Sequence, residues 1–141
     1  MMLDQISIFV QNCSGQLGLV TGALRKAGVN IRAMSLADTA DFGVLRLIAD
    51  DPASAKAALQ AAGFTVGSTS VIAVEVPDRT GGLADVLELF ASKGLNVEYL
   101  YGFTQRPEAT ATLIFRLDRM DEAEALLLER GVRVLSPGDI R

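Results

Sequence analysis

The chain has 141 residues, of which 50% are hydrophobic, with a formal net charge of −4, a single cysteine and no histidine. An acidic chain without a basic run has no positively charged surface to bind nucleic acids or anionic membranes, so neither is an expected partner. The single cysteine excludes an intrachain disulfide and a cysteine metal cluster, and the lack of histidine removes imidazole metal sites and most acid–base triads, so no metal and no cofactor are expected.

The first uncharged run, residues 5–24, contains glutamines, an asparagine and glycines, and its middle resembles a turn. A spanning helix needs about twenty predominantly apolar residues, so this run predicts no membrane span. The start, Met-Met-Leu-Asp, lacks the cationic region of a signal peptide. A cytoplasmic location is therefore expected.

Strand and helix patterns alternate along the first half of the chain. Ile6, Ile8 and Val10 lie on one face of a predicted strand, because side chains alternate along a strand. A helical stripe follows and ends at Gly28, a residue typical of helix C-terminal caps. Strands are predicted over 29–37 and 43–49, and a second helix begins after Asp51 and stops before a short final strand.

The same series occurs a second time. A shift of 66 residues places Gly15 on Gly81 and aligns NCSGQLGLVTGALRKAGVNI with DRTGGLADVLELFASKGLNV. Further along the shift is 68 residues, as with Ala55 and Ala123, and we place the two-residue insertion near residues 118–120. The chain is therefore interpreted as a tandem duplication with an N-terminal unit, residues 1–69, and a C-terminal unit, residues 70–141.

The order βαββαβ in each unit predicts an α+β protein of two tandem ferredoxin-like units, with antiparallel sheets and both helices on one sheet face. The other face of the N-terminal unit would carry Ser7, Phe9, Val44 and Ile48, which is too apolar to remain in water. Because a unit of about 65 residues is only marginally stable alone, the units should pack on each other or on a second chain. An obligate assembly, a homodimer, is expected.

The turn after each first strand runs directly into a helix N-terminus, where backbone N–H groups lack partners and the helix dipole favours an anion. Gly15 and Gly81 lie in these turns and let the backbone approach a ligand, since no Cβ intervenes. Asn30 and Asn96 begin the second strands, and if that strand lies beside the first, their amides would face the same loop.

The pattern Asp/Asn-x-x-Gly-x-Leu, followed about a dozen residues later by Gly-[Val/Leu]-Asn-[Ile/Val], resembles that of ACT domains, which sense small molecules in amino-acid metabolism. The resemblance covers both halves of the chain. It implies amino-acid effectors bound near unit–unit interfaces, association through sheet edges or faces, and a non-catalytic regulatory protein. By position, the implied ligand contacts are Asn12, Gly15, Gln16, Leu17 and Asn30, together with Asp78, Gly81, Gly82, Leu83 and Asn96.

Two features of the loops depart from a uniform pattern. Many family members carry proline before the loop glycine, where this chain has Ser14 and Thr80. Asn12 is neutral, whereas Asp78 is anionic and would attract an ammonium group. Unequal sites are therefore expected, with Asp78 facing the amino group of a bound zwitterion.

Less specific interpretations also fit these residues. A tight strand-to-helix turn needs glycine whether or not a ligand binds, and Asn30 and Asn96 also suit a helix end or a local turn bond. Cys13 is interpreted as a passive thiol. Two other function classes remain open: a regulatory subunit that docks on a metabolic enzyme without binding a ligand, and a small enzyme, for which the residues assemble no acid, base or nucleophile.

Overall fold

The computed structural model describes residues 2–38, 41–103 and 110–140, which divide into two compact units. The N-terminal unit, Asp4–Thr69, contains two helices between strands. Its elements are β1 (Leu3–Gln11), α1 (Gln16–Lys26), β2 (Ile31–Asp38), β3 (Phe42–Ala49), α2 (Pro52–Ala61) and the beginning of β4 (Thr65–Pro77).

The C-terminal unit comprises Ser70–Ile140 together with residues 2–3. It repeats the order of the first, beginning with the rest of β4. Its elements are α3 (Gly82–Ser92), β5 (Val97–Phe103), β6 (Thr110–Leu117), α4 (Met120–Glu129) and β7 (Arg133–Leu135), followed by a 3₁₀ helix at Pro137–Ile140. The predicted βαββαβ order is thus present twice. A domain boundary between residues 69 and 70 remains our proposal, because β4 runs through it without a break.

The sheet of the N-terminal unit has the order β2-β3-β1-β4. β3 pairs antiparallel with both β1 and β2. Alternate residues of β1, including Ile6 and Ile8, pack against Val20 and Leu24 of α1 and against Leu59 of α2. Both helices therefore cover the same sheet face, as the alternation of apolar residues predicts.

The C-terminal unit has the corresponding order β5-β6-β4-β7, in which β4 pairs antiparallel with β6 and β7, and β5 pairs antiparallel with β6. Its core joins β4 to α3 and α4. The rings of Phe90 and Phe115 meet edge to face with centroids 5.3 Å apart, a geometry worth about 0.5–1.5 kcal/mol beyond the buried area. Phe90 is 1% exposed and lies where the N-terminal unit has the smaller Leu24.

The strand registers correct the predicted position of the two-residue insertion. Val10 pairs with Gly43 in the N-terminal unit, and its counterpart Val76 pairs with Ala111, a shift of 68 residues. The larger shift is thus already present in β6, so the insertion lies between β5 and β6 and not near residues 118–120. Our placement was wrong because the identities of Leu47 and Ile48 with Leu113 and Ile114 at a shift of 66 are coincidental.

The sheet face away from the helices in the N-terminal unit has two parts of different exposure. Ile48 is 3% exposed, whereas Phe9 is 55% exposed. Phe42 lies on the same face as Phe9, because Phe9 pairs with Val44 and Gln11 pairs with Phe42, and it is also exposed. Part of the predicted apolar face is therefore open to solvent in the single chain.

Candidate functional site

The loop between β1 and α1 places a glycine at the helix start. Gly15 is the N-cap residue of α1 and has φ 90°, a left-handed conformation that glycine adopts without steric cost. No side chain caps the helix, and its first turn contains no acidic residue. The positive end of the helix dipole is therefore neither capped nor neutralised by a neighbouring side chain.

Helix α2 of the same unit begins in a different way. The Asp51 carboxylate accepts hydrogen bonds from the Ser54 hydroxyl at 2.7 Å and from the Ser54 backbone N–H at 3.1 Å. These two bonds hold the pKa of Asp51 below its ordinary value. Helix α4 has no side-chain cap but has Asp121 and Glu122 in its first turn, so the start of α1 differs from both α2 and α4 in having neither a cap nor an acidic residue.

The open start of α1 lies beside a small cavity of ≈ 100 Å³. Its walls come from the end of β1, the loop, the first turn of α1, and the strands β2 and β3. The lining residues are Val10, Gln11, Asn12, Cys13, Gln16, Leu17, Leu36 and Gly43. Asn12 and Gln16 supply polar groups, whereas Val10, Leu17 and Leu36 supply apolar surface, which is the mixture that binds small polar ligands.

Two backbone hydrogen bonds hold the loop beside the cavity. The Asn12 N–H donates to the Asp41 carbonyl at 2.9 Å, which connects the loop to the turn before β3. The Cys13 N–H donates to the Gln11 carbonyl at 2.9 Å and turns the chain away from β1. Three of the predicted residues, Asn12, Gln16 and Leu17, thus line one cavity, next to Gly15.

The equivalent loop of the C-terminal unit shares the helix start but has charged neighbours. Gly81 is the N-cap residue of α3 with φ 89°, again without a side-chain cap. The Arg79 guanidinium donates to the Thr80 carbonyl at 3.0 Å and pairs with Asp85 of the first helical turn at 3.0 Å. Both partners of this ion pair are more than half exposed, so it is worth only about 0–1 kcal/mol and would yield readily to a ligand.

The second glycine of this loop approaches the protein's own backbone. A Cβ on Gly82 would clash with the Pro77 carbonyl oxygen. The N–H of Gly82 donates to the Arg79 carbonyl at 3.0 Å, so the loop closes tightly. Gly82 is therefore required by the turn, whereas its counterpart Gln16 projects a side chain into the cavity of the N-terminal unit.

The sheet next to this loop also differs between the units. Leu36 covers Gly43 in the N-terminal unit, where a Cβ on Gly43 would lie 3.2 Å from the Leu36 side chain. The counterpart of Leu36 is Gly102, and there the Leu113 side chain lies 2.8 Å from the position of an added Cβ. The two units therefore present different apolar surfaces to their loops.

The structure does not bring Asn30 to the loop of its own unit. The condition for that contact, that β2 lies beside β1, is not met, because β3 lies between them. Asn30 follows the C-terminus of the 11-residue α1, about 16 Å from the start of this helix at about 1.5 Å per residue. Its backbone N–H donates to the Asp50 carboxylate at 2.9 Å, and Asn96 makes the same bond to Asp118 at 3.0 Å.

Several lining residues were missed by the sequence analysis. Leu36 and Gly43 are separated from the loop along the chain, and only the pairing of β2, β3 and β1 brings them to it. Cys13 lines the cavity, although it was interpreted as a passive thiol. The sequence signal for Gly43 would have been a glycine inside a strand, which often marks a close approach.

Across residues 2–38, 41–103 and 110–140, no group of three or more His, Cys, Asp or Glu side chains is arranged to hold a metal ion. Within the same ranges, no helix is long and apolar enough to cross a membrane.

Comparison with known proteins identifies the family. The family model described as "ACT domain pair" matches residues 1–140. The crystal structure of protein BT0572 from Bacteroides thetaiotaomicron is similar over 99% of this chain and 96% of that chain, with 37% identity and a TM-score of 0.94. No curated protein has a significantly similar sequence.

The fold is also similar to two regulatory subunits of aspartate kinase. The subunit from Thermus thermophilus, in its ligand-free form, has 18% identity and a TM-score of 0.63, with 89% of this chain and 88% of that chain covered. The subunit from Thermus flavus has 19% identity, the same TM-score and the same coverage. At this identity the likeness concerns the fold alone. Since the family model spans nearly the whole sequence, the chain is a member of the ACT domain pair family.

Proposed function

We propose that this protein is a non-catalytic regulatory sensor that binds a small amino acid at the loop between β1 and α1, with a second, unequal site at the loop before α3. Membership of the ACT domain pair family, together with the likeness in fold to regulatory subunits, supports a regulatory role. In the N-terminal unit the proposed contacts are Asn12, Gly15, Gln16 and Leu17.

The observation that carries the proposal is the uncapped start of α1 beside a cavity. An amino-acid carboxylate placed there would accept hydrogen bonds from the first-turn N–H groups and gain from the helix dipole. Helix α2 begins with a side-chain cap and α4 has two acidic residues in its first turn, whereas the start of α1 has neither. Asn12 and Gln16 supply further donors and acceptors at the cavity wall.

The size of the cavity limits the ligand class. Its volume is ≈ 100 Å³, well below the roughly 300–1,000 Å³ of sites for drug-sized ligands. A zwitterion with a side chain no larger than a methyl or hydroxymethyl group suits this space. The apolar surface of Leu36 and Val10 favours an uncharged side chain.

The proposed C-terminal site uses Asp78, Gly81, Gly82 and Leu83. Gly82 is held against Pro77, so its part is to keep the loop tight. Arg79 and Asp85 add charges of both signs near the helix start, and Asp78 adds an exposed negative charge. A zwitterion would place its amino group toward Asp78 and its carboxylate toward the helix start.

In this proposal a second copy of the chain brings the Asn residues to the ligand. Asn30 and Asn96 lie at the far ends of α1 and α3 from the loops of their own units, so neither would contact a ligand at the loop of its own unit. A homodimer would also cover exposed apolar side chains such as Phe9 and Phe42. Binding at such a junction would link ligand concentration to assembly, by the difference in affinity between the two states.

In this proposal a metabolic enzyme is the downstream partner that responds to the ligand-bound protein.

The proposal is tested by thermal unfolding with each common amino acid. Glycine, alanine or serine at a hundred times its Kd should stabilise the protein by about 2.7 kcal/mol, whereas leucine and phenylalanine should give no shift. The absence of a shift with every amino acid would contradict the sensor and favour an interaction module that docks on an enzyme without a ligand.

The role of Asp78 has its own test. Asp78→Asn removes the charge that faces the ammonium group in our proposal, so it should weaken binding of an amino acid at the C-terminal site and leave its deaminated analogue unaffected. Isothermal titration with both ligands gives the ratio of affinities, and the matched variant is Asp121→Asn on α4. An unchanged ratio in Asp78→Asn would refute the ammonium assignment.

A further inference from the structure

The helix layer of the N-terminal unit contains a second, larger depression. It lies between α1 and α2 and has an open volume of ≈ 630 Å³. The small residues Gly18, Gly22 and Ala58 line it, together with the larger apolar residues Leu19 and Phe64 and the cation Lys26. Leu19 is 60% exposed, although it is apolar. We call this depression the α1–α2 groove.

The C-terminal unit provides an internal comparison, because its helices have the same arrangement. The positions equivalent to Gly22 and Ala23 are Glu88 and Leu89, and Ala58 is replaced by Leu126, which is 4% exposed. Larger side chains thus stand where the N-terminal unit has small ones. The groove is a property of one repeat and not a requirement of the fold.

The two helix layers carry opposite charges. α1 and α2 contain Arg25, Lys26 and Lys56 and no acidic residue. α3 and α4 contain only acidic charged residues, namely Asp85, Glu88, Asp121, Glu122, Glu124 and Glu129, and the cap residues Arg119 and Arg130 flank α4. The groove is therefore complementary in charge to the helix layer of the other repeat.

Helix α4 also presents an apolar side chain to solvent. Leu128 is 49% exposed. Ala125 lies one turn earlier on the same exposed face of α4. Because its side chain is small, another helix can approach closely beside Leu128. Glu129 follows in the last helical turn, where the dipole disfavours a negative charge, so helix stability does not explain this residue.

We infer that the α1–α2 groove of one copy of the chain binds α4 of a second copy, with Leu128 inserted between the helices and Glu129 paired with Lys26. The glycines and alanines of the groove allow the helix axes to approach to about 8–10 Å. Opposite charges on the two layers set the orientation and accelerate the encounter. This association uses no residue of the proposed ligand site and does not depend on the proposed function.

A matched pair of substitutions in α2 tests whether the groove is occupied. Ala61 lines the groove and Ala53 lies on the same helix outside it, and both are exposed. Ala61→Leu fills the groove and should weaken self-association by about tenfold or more, whereas Ala53→Leu should leave it unchanged. Sedimentation velocity over a concentration series measures the association, and thermal unfolding confirms that both variants are folded.

Charge reversal tests the orientation. Lys26→Glu and Glu129→Lys should each weaken association, and the two changes combined in one chain should restore it, because the pair then forms with reversed signs. Glu129→Lys places a cation at a helix C-terminus, which favours the fold, so lost association there does not reflect unfolding. Added salt should weaken the wild-type association. A wild-type chain that stays monomeric, or a concentration series in which no association step is weakened by Ala61→Leu or by either charge reversal, would overturn the inference.

Discussion

Replacement of Gln16 by aspartate is expected to stabilise the ligand-free protein and to weaken amino-acid binding at the N-terminal loop by about tenfold or more. The new carboxylate would stand in the first turn of α1, where negative charge gains about 0.3–1 kcal/mol from the helix dipole. It would also face the bound carboxylate: two charges about 5 Å apart repel by about 1 kcal/mol in water and about 3 kcal/mol at an effective dielectric constant near 20.

These opposite effects distinguish loss of binding from loss of folding. The unfolding temperature of Gln16→Asp without ligand should equal or exceed that of the wild type, while its shift with glycine or serine should fall. Thr21→Asp is the matched control, because Thr21 is exposed on the same helix and does not line the cavity. Full retention of the ligand shift in Gln16→Asp would show that the carboxylate does not bind at the start of α1.

Gly82→Ala is expected to cost about 1–3 kcal/mol of stability, as overpacking of a fitted site does. The added Cβ would meet the Pro77 carbonyl, which is backbone and cannot rotate away as a flexible side chain could. The same carbonyl accepts the Arg79 N–H at 2.9 Å, so moving it would disturb the loop. The unfolding temperature should fall by about 3–5 °C for each kcal/mol.

The equivalent position in the other repeat supplies the control. Gln16→Ala also introduces an alanine, but Gln16 already has a Cβ, so no new contact is forced. The free energy of unfolding should therefore change by less than about 0.5 kcal/mol. Chemical denaturation of the two variants under identical conditions measures the difference. If Gly82→Ala unfolds at the same denaturant concentration as the wild type, the close approach to Pro77 is not a constraint.

The two loops illustrate how a duplicated element diverges. Both helices begin at a left-handed glycine without a side-chain cap. One loop then offers Gln16 and a cavity covered by Leu36, whereas the other is closed by Gly82 and spanned by the Arg79–Asp85 ion pair. The two loops share the left-handed glycine at the helix start but differ in the side chains around it. This difference is consistent with two sites of different affinity or specificity.

The sequence by itself determined the duplication, the βαββαβ order and the loops to examine, because these depend on local patterns. Alternation of Ile6 and Ile8, the helical spacing of Val20 and Leu24, and the glycine at each helix start are all properties of nearby residues. The resemblance to ACT domains came from the same short stretches. These features persist in any arrangement of the strands.

Only the tertiary structure decided which distant residues meet. β1 and β2 both pair antiparallel with β3 and so run parallel, which places Asn30, before β2, at the end of the sheet away from the loop, while the strand order brings Leu36 and Gly43 to that loop. The register of β6 moved the insertion to the segment before that strand. Strand neighbours and register are set by pairing between segments far apart in the chain, and a shift of one residue would turn each side chain to the other face. No local pattern carries that information.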